Sequence, residues 1–501
     1  MAAAVLAVSA LVAIPIGYLI VRVIQGGWSK IAEIISRPRT WELAANSLVL
    51  SGLVGITVLV IGVVTGWLIT RTDLPNPRVW LVLSTLPLAV PSYVIAYTWL
   101  AVTPRFTGFW AAWLVLSVST LPYVVLASTA VLRTLDAAQI DVARVMGENT
   151  WGIFRKVEWP HMRGAAVAGM LLAVLYALSD FGAVAMLRVD TLTRAVYTAY
   201  RASFDRYSAA VLALILVAIG LMVVALEART RGSVIRARVG RGVRRESEKI
   251  ALGRWRQPAL VLLSLPVIVG LVVPALVIGV RVVLASAQGI DYLRLLQAAL
   301  TSVGLGVAGA ILALMFSLPV GVAVARYRSR VGRVGEVIAL VTQGVPGVVV
   351  GLSLVVVGLT FAWPLYQTVF MLIFGYAIVF MARSVGVVRS SLERVPPVLE
   401  DTARTLGSGP AAVFRRVTLP LAGPGVAVGF LLVLLAIMKE LPVTLFLRPT
   451  EMRTLATELW TKTEIVSYSE AAPYALALVL LAAVPTYLLS RPRKVSEPVV
   501  A

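Results

Sequence analysis

Residues 207–227 read YSAAVLALILVAIGLMVVALE, and this stretch decides the fold. It carries no charge from Tyr207 to Leu226. At 1.5 Å per residue, a helix of that length crosses about 30 Å of hydrocarbon. Directly after it come Arg229, Arg231, Arg236, Arg238, Arg241, Arg244, Arg245, Lys249 and Arg254. A long apolar run followed at once by a dense basic segment reads as a transmembrane helix leaving the bilayer on its cytoplasmic side.

Similar runs recur in both directions from this point. Spans are expected at roughly 4–25, 45–70, 79–102, 109–132, 164–187 and 207–227, then at 258–284, 297–324, 335–360, 366–388, 424–446 and 470–490. The composition agrees: of 501 residues 59% are hydrophobic and 14% charged, and the mean hydropathy is +0.91. Soluble domains sit near 45–50% apolar and about 25% charged. The expected fold is an all-α integral membrane protein of about twelve transmembrane helices, arranged as two parallel six-span repeats. Val5 to Ile24 lacks a basic flank and a small-residue cleavage site, so it reads as a retained first span. Pro87, Pro91, Pro122 and Pro346 fall inside spans, where the backbone groups they free need partners from neighbouring helices or a wet cavity.

The net charge of +21 comes from 45 Lys and Arg against 24 Asp and Glu. The cations sit in short loops between apolar runs, which suits the positive-inside rule and a lipid bilayer, with no nucleic-acid partner expected. Counting spans outward from the basic segment makes 71–78, 133–163, 326–333 and 389–416 cytoplasmic, together with both termini. The chain is thus expected to be a multi-pass protein of the cell membrane. It has no cysteine and one histidine, His161, so disulfides, thiol chemistry and His-rich metal sites are excluded. His161 reads as a surface residue.

The two halves repeat. Ala143-Arg144-Val145-Met146-Gly147 matches Ala403-Arg404-Thr405-Leu406-Gly407 at an offset of 260 residues (403 − 143). The same offset carries Phe154 onto Phe414, Val157 onto Val417, Pro160 onto Pro420, Gly169 onto Gly429, Asp180 onto Glu440 and Arg188 onto Arg448. An even number of spans per half gives both repeats one orientation, with the repeat axis along the membrane normal. The expected units are a first half at 1–228, a basic linker at 229–257, a second half at 258–490 and a tail at 491–501.

Each half holds one long polar segment, at 133–163 and 393–423. In the first, Asp136 to Met146 reads as a helix stopped at Gly147, a residue suited to the left-handed position after a helix. Asn149 then caps a second short helix through Trp151, Phe154 and Val157, which stops before Pro160. In the second, Pro397 opens a helix that ends at Gly407, Pro410 starts the next and Pro420 closes it. Phe154 and Val157 are three apart and share a helix face, as do Phe414 and Val417.

These segments carry a resemblance. Asp141-x-Ala143-Arg144-x-x-Gly147 with Phe154, Val157 and Pro160 resembles the cytoplasmic coupling loop of ABC importer permeases. Asp401-x-Ala403-Arg404-x-x-Gly407 with Phe414, Val417 and Pro420 resembles a second copy, and either Glu400 or Asp401 fills its leading acidic place. Asp180-Phe181-Gly182, Lys439-Glu440-Leu441-Pro442 and Pro87-Leu88-Ala89-Val90-Pro91 are similar to segments of ferric-iron-type permeases. The resemblance implies a fused permease whose loops dock on a separate ATPase subunit, in two copies, with ATP and Mg held there and no cofactor in this chain. It further implies an extracytoplasmic solute-binding protein as partner and ferric iron as cargo, with thiamine or another small solute as the alternative. No G-x-x-x-x-G-K-[ST] occurs, so an own ATPase site is not expected, nor is a catalytic or metal-binding constellation. An ion-coupled secondary transporter is the rival class.

Asp180, Lys439 and Glu440 lie about two-thirds along the fifth span of each half. A carboxylate at mid-membrane faces protein or a wet path, because exposure there costs roughly 2.5–3.5 kcal/mol. Two readings stand: the acids line the outer end of a translocation path, or they mark helix ends where Gly182 and Pro442 break the span. Beyond them, Val196, Tyr197, Tyr200, Phe204 and Tyr207, with Arg194, Arg201 and Arg206, have helical spacing, and Leu455, Leu459 and Trp460 repeat the theme. The expectation is an interfacial helix with aromatics at headgroup level.

Overall fold

A computed structural model of the chain describes residues 1–201, 205–234, 248–327 and 329–490. Phe204, the linker cations Arg236 to Arg245 and the tail 491–501 lie outside the described residues. The first half holds helices α1 (Ala2–Gly26), α2 (Trp28–Ser36), α3 (Pro38–Arg71), α4 (Pro77–Thr85), α5 (Ser92–Val102) and α6 (Phe109–Thr134). It continues with α7 (Ala137–Val145), α8 (Thr150–Ile153), α9 (Trp159–Ser179), α10 (Gly182–Met186), α11 (Leu192–Arg201) and α12 (Arg206–Val234).

The second half opens with α13 (Arg256–Val267), α14 (Val273–Gln288), α15 (Tyr292–Ala325), α16 (Arg330–Gln343), α17 (Gly347–Phe361) and α18 (Val369–Val379). Then come α19 (Met381–Glu393), α20 (Pro397–Thr405), α21 (Pro410–Val413), α22 (Leu419–Met438), α23 (Pro442–Leu447), α24 (Leu455–Glu464) and α25 (Tyr468–Ser490). Among the described residues the only strand-like pairing is one isolated bridge, Thr72 to Ile250.

Among the described residues nine helices are long and apolar enough to cross a membrane, or up to twelve if each of three bent pairs is one span. The bent pairs occupy the spans expected at 79–102, 335–360 and 366–388. The chain turns by 90° between Ala89 and Ser92, by 106° between Gln343 and Gly347, and by 60° at Phe380. The first two bends have a direct cause. Pro91 and Pro346 lack the N–H that would continue the helix, and each sits extended just before the second piece. Pro122, by contrast, lies within the unbroken α6.

The halves interlock. The first helix, α1, packs on α12 but also on α16 and α17 of the second half. In the mirrored arrangement α14 packs on α25 and reaches α5 of the first half. Arg281 of α14 donates to the Ala101 carbonyl, and the Tyr97 hydroxyl donates to the Tyr468 carbonyl at 2.7 Å. Each broken third span is therefore clasped by the opening helix of the other half. Consequently the two large apolar cores both mix residues from either side of the linker.

Small residues set the closest approaches, as is usual where lipid removes the hydrophobic drive between helices. A Cβ on Gly169 would lie 2.8 Å from the Tyr123 carbonyl oxygen, and one on Gly429 would lie 2.0 Å from Val387. These two glycines match at the repeat offset, so the same helix crossing is built twice.

Candidate functional site

The polar segments fold as two knobs of short helices, α7 with α8 and α20 with α21. In the first, Asp136 caps α7 by accepting from the Ala138 N–H at 3.0 Å, and Asn149 caps α8 by accepting from the Gly152 N–H at 2.8 Å. Between them Gly147 takes φ 83°, and Gly407 takes the same φ in the second knob. Ile140, Ala143 and Ile153 form a small core, with Val157 against it.

The short second helices do not stop where the prolines were expected to end them. The Trp159 N–H bonds the Phe154 carbonyl five residues back, and the Leu419 N–H likewise bonds that of Phe414. This single π turn widens the helix just before Pro160 and Pro420, leaving room for each ring while the helix runs on. The fifth span is thus one rod from the knob to Ser179, and from the second knob to Met438. The wider turn also separates residues expected to share a face. Phe154 lies against Trp67 and Trp151, whereas Val157 joins the knob core. Phe414 is exposed and Val417 half-buried.

The charged residues of the motif divide into exposed and enclosed sets. Asp141 stands 3.8 Å from Arg144, which also reaches Glu248 of the linker at 3.2 Å. Asp401 pairs with Arg404 at 2.5 Å on the surface. Glu400 is buried: its Oε1 accepts from Arg326 Nε at 3.0 Å and from Thr418 Oγ1 at 2.8 Å. The first knob has a buried carboxylate that the motif did not flag. Glu158 Oε1 lies 2.6 Å from Arg71 Nε, and its Oε2 accepts from Trp67 Nε1 at 2.7 Å. The available sequence signal was the pair Arg71 and Arg326, each ending the long second span of its half.

Deeper in the bundle the fifth spans end beside each other. The helix stops at Ser179, and the Asp180 carboxylate accepts from the Ala183 N–H at 2.9 Å and from Ser92 Oγ. Tyr176 in turn donates to Ser92 Oγ at 3.3 Å. Glu440 repeats the cap, accepting from the Val443 N–H at 3.3 Å, while Thr444 donates to the Glu440 carbonyl at 2.7 Å. Lys439 leaves its neighbour and crosses to the first half, donating to the Leu88 carbonyl at 2.8 Å. All three side chains are half-buried. Among the described residues no group of three His, Cys, Asp or Glu is placed to hold a metal ion.

Comparison with known proteins matches a single family to both halves. The model of the binding-protein-dependent transport system inner membrane component covers residues 59–230 and 317–500. An Fe(3+)-transport system permease protein of Haemophilus influenzae is 33% identical over 485 residues, 95% of each chain. The chain belongs to this family. It is a multi-pass inner-membrane permease subunit of an ABC importer. A sulfate transport system permease protein of Escherichia coli is 27% identical over 34% of this chain and 67% of its own. A chloroplastic sulfate permease of Chlamydomonas reinhardtii is 29% identical over 28% of this chain and 44% of its own.

Beyond the span breaks, aromatic rings of the two halves of the permease pack together. Phe181 and Tyr197 of the first half meet Trp460 and Phe446 of the second. Ring centroids lie 4.6 Å apart for Phe181 and Tyr197, 5.2 Å for Phe181 and Trp460, and 5.6 Å for Tyr197 and Phe446. Of the stretches expected as interfacial helices, Val196, Leu455, Leu459 and Trp460 are buried, and Tyr197 and Tyr200 are half-buried. The expected stretch divides: Val196, Tyr197 and Tyr200 lie on α11, which ends at Arg201, whereas Tyr207 lies in the first turn of α12.

Proposed function

We propose that this permease imports ferric iron, drawing on ATP hydrolysis by separate subunits docked on its two knobs. The observation that carries the cargo is the 33% identity, across 95% of both chains, to a relative named for Fe(3+) transport. The sulfate relatives align with about a third of the chain and carry less weight. The polar groups at the span breaks include carboxylate, hydroxyl and phenol oxygens, the donor class a hard ferric ion prefers, beside the cations Lys439 and Arg383. Asp180 and Glu440 then line the path near its closed end, with Lys439 between the halves.

The knobs support the docking. Val145, Met146 and Trp151 are 89%, 78% and 67% exposed on the first, and Leu406, the repeat partner of Met146, is 80% exposed on the second. Apolar tips flanked by charge, on loops outside the hydrocarbon, fit a protein partner. Two tips imply two ATPase copies, with ATP and Mg bound there, since the chain has no phosphate-cradling loop. Asp141, Ala143, Arg144, Gly147, Phe154, Val157 and Pro160 shape one docking site, and Asp401, Ala403, Arg404, Gly407, Phe414, Val417 and Pro420 the other. The knobs and both termini then lie in the cytoplasm, and a solute-binding protein delivers cargo to the aromatic-sealed face. The working units are 1–228 and 258–490, joined by the linker 229–257.

The test is uptake of radiolabelled ferric iron into proteoliposomes holding the permease, its ATPase and the binding protein. Iron uptake that needs ATP, with sulfate and thiamine excluded, is expected. Uptake without ATP would return the reading to an ion-coupled transporter. For orientation, Leu406→Cys should react with impermeant thiol reagents only from the cytoplasmic side and Thr107→Cys only from outside.

A further inference from the structure

The two halves solve one structural problem with different residues. The second spans α3 and α15 end on the knob side in Arg71 and Arg326, 255 residues apart (326 − 71). Each guanidinium is drawn into the protein by a buried carboxylate of its knob: Glu158 for Arg71, Glu400 for Arg326. These carboxylates are not repeat partners. At the offset of 260 residues that aligns the knobs, Glu158 faces Thr418 and Glu400 faces Ile140. The first half carries its acid on the π turn, the second on the first knob helix. Both reach the arginine at the end of the same span.

A buried ion pair is an expensive way to fill space, because apolar residues of like volume serve a core as well or better. What the pair provides is a directional tie between two elements. The span it holds reaches far. Thirty-four residues make a rod of about 50 Å. Near the opposite end of α3, Ser47 Oγ accepts from the Leu192 N–H that opens α11, at 2.9 Å. Near that end of α15, Ser302 Oγ accepts from the Leu455 N–H that opens α24, also at 2.9 Å. Helices α11 and α24 carry Tyr197 and Trp460, which belong to the aromatic closure.

We infer that Arg71–Glu158 and Arg326–Glu400 are latches that make each knob and its second span one lever, carrying knob motion along α3 and α15 to the aromatic closure. The four residues are positioning residues. The inference rests on the proposed docking of an ATPase at the knobs and adds the route by which its motion reaches the far face. It also explains the swap: what matters is a carboxylate at the arginine, whichever knob helix brings it.

The swap supplies the test. Glu400→Ile places the first half's residue in the second knob and removes the latch. In the reconstituted complex, stimulation of ATP hydrolysis by loaded binding protein and iron uptake should both fall about tenfold, with the ATPase still co-purifying. Adding Thr418→Glu rebuilds the first half's arrangement and should restore both to within about twofold. A second readout uses the permease alone, with spin labels on cysteines introduced as Leu406→Cys and Met315→Cys. Glu400→Ile should broaden the distance distribution between knob and span, and Thr418→Glu should narrow it again. Wild-type stimulation in Glu400→Ile, or a paired variant no better than the single one, overturns the latch. If the ATPase fails to bind the wild-type permease, the docking reading falls, and the label distances still decide the latch: an unchanged distribution in Glu400→Ile overturns it.

Discussion

Lys439 of the second half donates a hydrogen bond at 2.8 Å to the backbone carbonyl of Leu88 in the first. That carbonyl lies in the single 3₁₀ turn Leu86–Ala89, just before the chain bends by 90° ahead of Ser92. The bend removes the helical N–H that would otherwise satisfy it, so the lysine completes the broken span from across the centre of the permease. Lys439→Met keeps most of the stem and removes the donor. The expected loss is about 1–3 kcal/mol, the range for stranding a buried acceptor. Thermal unfolding of the detergent-purified permease reads it directly, and an unchanged midpoint would show that Leu88 finds another partner.

The aromatic closure makes a prediction about access. Phe181 touches both Tyr197 and Trp460, so its removal opens a gap on both sides of the centre. The chain has no native cysteine, so Ser92→Cys, beside Asp180 and beneath the rings, is a clean reporter. With the closure intact it should resist impermeant thiol reagents added from the far side. Combined with Phe181→Ala it should react readily, and equal rates in both backgrounds would place the barrier elsewhere. A double-mutant cycle between Phe181 and Trp460 should give about 0.5–1.5 kcal/mol of coupling, as for other offset ring pairs.

The capping geometry separates two roles of the acids at the span breaks. Asp180→Asn and Glu440→Gln together keep a carbonyl oxygen to accept from the Ala183 and Val443 N–H groups, but remove the charge. Asn caps helices as well as Asp does, so stability should change by less than about 1 kcal/mol. Iron uptake should nevertheless fall strongly if the charges serve the path. Normal uptake would leave the carboxylates as caps and nothing more.

Much of this is legible in the sequence. Long uncharged runs can do little but cross a bilayer, and one offset aligned both knobs down to glycines that share φ 83°. The breaks were harder, because proline is ambiguous: Pro91 and Pro346 precede sharp bends, while Pro122 sits in an unbroken helix. What decides is whether neighbours fill the gap, and a linear pattern does not contain neighbours. The stops expected at Pro160 and Pro420 failed for a related reason, since one π turn admits each ring without ending the helix. The acid at Glu158 was missed because the motif directs attention to the first knob helix. In this half the carboxylate comes from the second.

The described end of the linker touches the first knob, and this contact is measurable. Arg144 of the first knob reaches Glu248, and Lys249 donates to the Thr70 carbonyl at 2.6 Å, whereas Arg404 pairs within its own helix. Glu248 is exposed, so its pair is worth no more than about 1 kcal/mol and is screened by salt. Glu248→Gln should therefore leave the unfolding midpoint nearly unchanged. A large fall would mean that the linker contributes to the fold of the first knob far more than an exposed pair can.

The last prediction tests the bend that aims each knob. At Gly407 a Cβ would meet nothing within 4 Å, and φ is 83°. Any penalty of substitution there is backbone strain alone, uncontaminated by a clash. A β-branched residue in that conformation costs roughly 1–2 kcal/mol, whereas asparagine tolerates it. Gly407→Val should thus relax the turn between α20 and α21, tilting Leu406 and Phe414 away from a docked ATPase. Gly407→Asn should preserve their aim. The two variants differ little in bulk, and both place it in open space, so packing does not separate them. The measurement is hydrolysis stimulated by loaded binding protein in the reconstituted complex. Gly407→Val should lose most of the stimulation with membrane insertion near normal, and Gly407→Asn should keep it. Equal stimulation in the two would show that the left-handed turn is not what aims the second knob.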